Sequence, residues 1–132
     1  MRYTVLAGRV LYAAIFLLSS PLLFSPQGVG YAVQAGVPAA GLLVPVAGLI
    51  ALAGALSVVV GYRAKLGAWL LVVFLVPVTF TMHAFWAVKD PMMAQMQQAH
   101  FFKNLGLLGA ALLIAYFGAG PLSLDARRTT LG

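Results

Sequence analysis

The stretch FTMHAFWAVKDPMMAQMQQAHFFKN, residues 80–104, decides how this chain is read. An apolar run enters it, Lys89-Asp90-Pro91 interrupts it, and a second apolar run leaves it. Asp90 suits a helix cap, and Pro91 suits a first helical position, where no partner is needed for the missing N–H. The stretch therefore reads as the tip of a helical hairpin. It also gathers both histidines, Trp86 and a Lys103-Asn104 pair, in a chain where polar groups are scarce.

The scarcity is chain-wide. Of 132 residues, 63% are hydrophobic and only 8% charged, and mean hydropathy is +1.02. Soluble domains carry about a quarter charged residues, so the solvent of this chain is a bilayer. There is no Glu, and Asp90 and Asp125 are the only carboxylates. The absence of Cys excludes disulfides, thiolate nucleophiles and Cys-ligated metals. A net charge of +6 fits helix ends that meet lipid headgroups. No basic run is interleaved with aromatics, so nucleic acid is not an expected partner. The basic start and apolar core of residues 1–25 resemble a signal peptide. No small-residue cleavage site follows, so the segment is expected to remain as a helix.

Working outward from the hairpin, four apolar segments emerge at residues 3–24, 38–60, 66–88 and 99–118. Each is long enough to cross a hydrocarbon core of about 30 Å. Joined by short connections, they form an all-α, up-down four-helix membrane bundle within a single domain. Arg9 lies inside the first span without a carboxylate nearby and is expected to snorkel to the headgroups. Pro21 is expected to kink or end that helix, and Pro77 to kink the third, with Thr79 or Thr81 serving freed backbone groups. Residues 25–37 read as a connection with at most a short turn near Tyr31. Ala47, Ala51 and Ala55, beside Gly48 and Gly54, form a small-residue ridge; Gly106, Gly109 and Ala110 form another. Ser57 reads as bonding back to its own helix. Trp69 and Trp86 mark the two interfaces. An even number of spans puts both termini and the Gly61–Lys65 turn on one side, with Arg2, Arg9, Arg63, Lys65, Arg127 and Arg128. Lys89 and Lys103 are left on the other. This imbalance predicts cytoplasmic termini.

The chemistry-bearing residues sit at the opposite, hairpin end. With the hairpin centred on residues 89–95, His83 is expected level with Lys103 and Asn104. Met96, His100, Lys103 and Asn104 are expected to share one helix face. His83, Trp86, His100, Lys103 and Asn104 are thus the candidate ligand-binding residues, since polar groups at that depth need partners or a ligand. Bis-His haem ligation fits poorly, because the two histidines are expected at different depths. A metal site lacks carboxylate or thiolate help, and no intramembrane carboxylate supports ion-coupled transport. A pocket for an apolar molecule with a polar head, such as a quinone, fits better, with Phe80, Phe85, Phe101 and Phe102 as walls. No catalytic residue and no bound metal are expected.

The segments Gly8-Arg9-Val10-Leu11, Gly61-Tyr62-Arg63-Ala64-Lys65, Met82-His83-Ala84-Phe85-Trp86, residues 97–105 and residues 118–125 together resemble the DoxX family of small bacterial membrane proteins. The resemblance implies a multi-pass protein of the cell inner (plasma) membrane. It implies an accessory or subunit of a membrane redox system, with a redox-protein partner, more a non-enzyme than an enzyme. The alternatives are the membrane part of a quinone-linked oxidoreductase of the thiosulfate:quinone type and a small-molecule exporter. The small-residue ridges would serve a homo-oligomer as readily as internal packing.

Overall fold

The computed structural model describes residues 1–131. Its helices are α1 (Arg2–Leu23), α2 (Pro26–Gln34), α3 (Ala40–Val60), α4 (Ala64–Met82), α5 (Pro91–Phe117) and α6 (Leu124–Thr130), with a 3-10 turn at Phe85–Ala87. Four helical segments are long and apolar enough to cross a membrane. The fold is the up-down membrane bundle that the hydropathy pattern requires. Leu11, Leu18, Leu113 and Tyr116 point outward and are largely exposed, so the bilayer is the partner of these outer faces.

Local chemistry explains where the elements start and stop. Residues 25–37 were expected as a connection, yet Pro26–Gln34 is helical. Ser25 caps it by accepting from Gly28 N–H, and Pro26 opens it. Gly28 is required there, because a Cβ would run into the Leu22 carbonyl. Pro21 does not end α1, which continues to Leu23. The proline leaves Leu17 O without its helical donor, and Ser20 Oγ supplies one at 3.1 Å. At Pro77 the outcome differs. Thr81 Oγ1 bonds Pro77 O at 2.7 Å, an ordinary back-bond that does not serve Val73. α4 then stops at Met82 rather than Val88, and the chain passes through the 3-10 turn to Asp90. Asp90 Oδ1 accepts from Met93 N–H at 2.9 Å, and α5 runs unbroken from Pro91.

The helices pack in the order α1, α3, α4, α5. One core cluster takes side chains from all four, including Phe16, Val58, Leu71, Leu75 and Ala111. Tyr12 of α1 joins α5 by donating to Leu107 O at 2.9 Å. The tightest approach is between α3 and α4. A Cβ on Gly54 would lie 2.8 Å from Gly67 O, and one on Gly67 would lie 3.0 Å from Gly54 O. Val44, Gly48, Ala51, Ala55 and Val58 form the buried stripe of α3, whereas Ala47 is only half-buried. The second expected ridge does not pack: Gly106 and Gly109 have nothing within 4 Å of an added Cβ. α5 turns Phe101, Asn104 and Ala111 inward instead, and the two glycines fall on the outer side of that stripe.

At the end carrying both termini, the chain is tied together by polar contacts. Arg9 does not snorkel; it is 3% exposed and donates to Leu122 O at 2.5 Å. Its Nε and Nη1 have no partner. A carbonyl from the C-terminal segment reaches the guanidinium before the headgroups do. Asp125 accepts from the backbone N–H groups of Arg63 and Ala64, at 2.8 and 2.9 Å, and so caps α4. Asp125 N–H returns a bond to Gly61 O at 2.8 Å. Ser57 Oγ reaches across the same turn to Tyr62 O at 2.6 Å, rather than back along its own helix. The C-terminal residues that carry Arg127 and Arg128 thus form helix α6, docked on the α3–α4 turn through Asp125.

Two outcomes follow from this packing. Gly67→Ala should loosen the α3–α4 contact by about 1–3 kcal/mol. Gly106→Ala should not destabilise and should gain up to about 1 kcal/mol of helix propensity. Unfolding midpoints in a fixed detergent compare the pair, and equal midpoints would refute the contact. Asp125→Ala should cost about 1 kcal/mol at the α4 start. It should speed hydrogen exchange at Arg63 and Ala64 while leaving the core of α4 unchanged.

Candidate functional site

The hairpin end is built by the end of α4, the 3-10 turn and the first half of α5. The expected depth register assumed a loop over residues 89–95. Asp90 and Pro91 start the helix at once, so the hairpin centre falls earlier and the cross-helix pairs shift. His83 meets Gln97 and His100, not Lys103 and Asn104. The His83 and His100 rings stack with centroids 5.2 Å apart and planes at 26°. His83 Nδ1 lies 2.7 Å from Gln97 Oε1; the carbonyl oxygen accepts, so the N–H is assigned to Nδ1. Lys103 Nζ lies 3.5 Å from His100 Nδ1, a long contact in which the ammonium donates.

The five expected residues therefore divide. His83, His100 and Lys103 form one connected line. His100 and Lys103 are exposed and His83 is half-buried. Asn104 leaves the group: it is 4% exposed and shares the inward stripe of α5 with Phe101 and Ala111. A single residue advances a helix by about 100°, so Lys103 and Asn104 cannot share a direction. Gln97 is the residue that the sequence reading quoted without assigning. Its signal was present, since Gln97 precedes His100 by three positions, but only the corrected register brings it to His83.

Trp86 belongs to the neighbouring aromatic group. Phe101 stands at its centre, with Phe80, Phe85, Trp86 and Phe102 all at centroid distances of 5.4–5.6 Å. Most of these contacts are edge-to-face, the favoured arrangement for aromatic quadrupoles. The rings pack on one another instead of lining a hollow. What results is a shelf at the hairpin end: Phe80, Trp86 and Phe102 are each more than half exposed. The two histidines meet at one depth, against expectation, yet their stacked rings present faces rather than nitrogens to each other, which does not suit a haem iron between them. Among the described residues, no group of three or more His, Cys, Asp or Glu is placed to hold a metal ion. The site offers donors (the Lys103 ammonium, imidazole nitrogens and the Gln97 amide) beside exposed aromatic surface. That combination suits recognition of an anionic or carbonyl-bearing group flanked by an apolar one.

Comparison with known proteins corrects the family. The model of the SURF4 family matches residues 1–130. A curated relative, the Surfeit locus protein 4 homolog of Schizosaccharomyces pombe, is 30% identical over 127 residues; these make up 96% of this chain and 38% of that protein. The chain thus spans well under half the length of that relative. No solved structure matches it. These matches overturn the DoxX resemblance. With it go the redox-accessory role, the quinone ligand, the thiosulfate:quinone alternative and the exporter reading. The quoted segments are interfacial aromatics, basic turns and helix caps, which any bundle of this kind needs at those depths. They mark the architecture and do not separate families that share it. Matched over almost its whole length, this multi-pass membrane protein belongs to the SURF4 family.

Proposed function

We propose that this chain is a membrane receptor unit that captures a polypeptide at its hairpin end. SURF4 proteins are cargo receptors of the endoplasmic reticulum, and family membership supports that type of membrane over the plasma membrane. Because the chain corresponds to 38% of its curated relative, the reading concerns one four-helix unit of such a receptor. The observation that carries it is the connected line His83–His100–Lys103, partly exposed at the same hairpin end as the exposed rings of Phe80, Trp86 and Phe102. Elsewhere in the spans, polar side chains turn inward or bond to backbone, as Tyr12, Ser20 and Thr81 do. Here cationic and hydrogen-bonding groups emerge together beside uncovered aromatic rings. A segment carrying an apolar side chain next to a carboxylate complements both parts.

Charge supports the orientation this requires. Arg2, Arg63, Lys65, Arg127 and Arg128 lie at the end carrying both termini, and Lys89 and Lys103 at the other. By the positive-inside bias the termini are cytoplasmic and the shelf faces the lumen, where cargo resides. The outward strip at Gly106 and Gly109 supports close pairing of two copies as a further property of the unit.

A photo-crosslinking residue at position 86 should trap polypeptide, whereas one at position 113, on the lipid-facing side of α5, should trap lipid. Lys103→Leu should reduce the polypeptide adducts at position 86 about tenfold, the loss of one charge-assisted contact, without reducing membrane insertion. Adducts at position 86 that consist of lipid alone, or that ignore Lys103→Leu, would remove the receptor surface from this end.

A further inference from the structure

The geometry points to a binding site for the phosphate headgroup of an anionic membrane lipid at the end carrying both termini. A cleft of about 630 Å3 lies there, bordered by Arg63, Lys65, Leu66, Phe117 and Thr129, with the Gly118–Gly120 loop as its floor. Its lining divides by chemistry into a polar and an apolar set. Arg63, Lys65 and Thr129 supply cationic and hydroxyl groups. Leu66 and Phe117 are 55% and 73% exposed and continue onto the lipid-facing sides of α4 and α5. A headgroup among the first set leaves its acyl chains along the second. That continuity selects a lipid over a soluble phosphate.

The cationic side is held in place. The stem of Lys65 passes over Gly118, where an added Cβ would lie 3.4 Å from Lys65 Cε. Gly118 has φ +84°, a conformation that favours glycine, so the chain bends away there and leaves room for the lysine stem. Asp125 also borders the cleft. Its two carboxylate oxygens are turned to the backbone N–H groups of Arg63 and Ala64, so its charge is directed at the α4 terminus. With one carboxylate against Arg63 and Lys65, the lining keeps a positive balance. Docking of α6 contributes part of the lining, through Ala126 and Thr129. Trp69 lies one turn into α4 from Lys65, on the same face, and is 52% exposed. It is a built-in reporter of lipid at this position.

The test uses the full chain with Trp86→Phe, which leaves Trp69 as the single tryptophan, in vesicles of phosphatidylcholine and phosphatidylglycerol. Either lipid is brominated in turn, and quenching of Trp69 gives their relative association. About tenfold preference for the anionic lipid is expected, from two basic groups partly offset by Asp125. Arg63→Gln with Lys65→Gln should bring the preference close to parity. Lys65→Arg should retain it, showing that the charge and not the fold was lost. Arg127→Gln with Arg128→Gln removes the same charge outside this cleft and should also retain it. Parity in the starting protein overturns the site, and equal loss in both double variants reduces it to diffuse surface charge. If excess inorganic phosphate abolishes the preference, the occupant is a soluble anion and the lipid assignment fails.

Discussion

A polar group inside a bilayer has no water to fall back on, and at several critical points this chain meets that need within the protein. Where Pro21 removes a donor, the Ser20 hydroxyl replaces it. Where α4 begins at Ala64, the carboxylate of Asp125 takes the free N–H groups. Where Arg9 is drawn inward, the Leu122 carbonyl meets it. An unpaired polar group in hydrocarbon costs several kcal/mol, so these contacts determine which helix ends stay together. Apolar burial alone does not, because lipid tails are as apolar as the leucines they touch.

The two ends of the bundle use this constraint in opposite ways. At the end carrying both termini, Arg9 through Nη2, Asp125 and Ser57 bond to backbone from other segments, and the turn, the tail and α1 become one unit. Close approach supports them: Gly61 leaves no space for a Cβ between Arg9 and Ser123. At the hairpin end, His83, Gln97, His100 and Lys103 bond mainly to one another and remain partly exposed. At one end the turn, the tail and α1 are tied by side chain–backbone contacts, with Arg63 and Lys65 left exposed beside them; at the other the polar groups bond to one another. This asymmetry is the physical basis for assigning recognition to the hairpin end.

The family assignment shows which features of a membrane sequence carry identity. Trp69 and Trp86 at interfaces, Asp90-Pro91 at a helix start and Gly118 after a helix end are answers to the bilayer and to backbone geometry. Different membrane bundles arrive at the same answers, so short matches at these positions do not distinguish one family from another. The SURF4 match draws on residues 1–130 together, including the lipid-facing positions that physical reasoning treats as interchangeable.

Composition and period by themselves determined that the chain enters a membrane, that it crosses with four helices, and that its polar residues concentrate near residues 80–104. Those conclusions need only the cost of charge in oil and the length of a helix turn. The Asp90 cap and the α3 small-residue stripe at Gly48, Ala51 and Ala55 were legible for the same reason, since each is a local pattern. Tertiary structure alone decided the rest. It placed Arg9 under the C-terminal segment, turned Asp125 onto α4, left Gly106 and Gly109 facing outward, and brought Gln97 and His100 to His83. Each of these depends on where one segment ends relative to another. An early stop at Met82 shifts every cross-helix partner, and nothing within α4 announces which partner will be waiting.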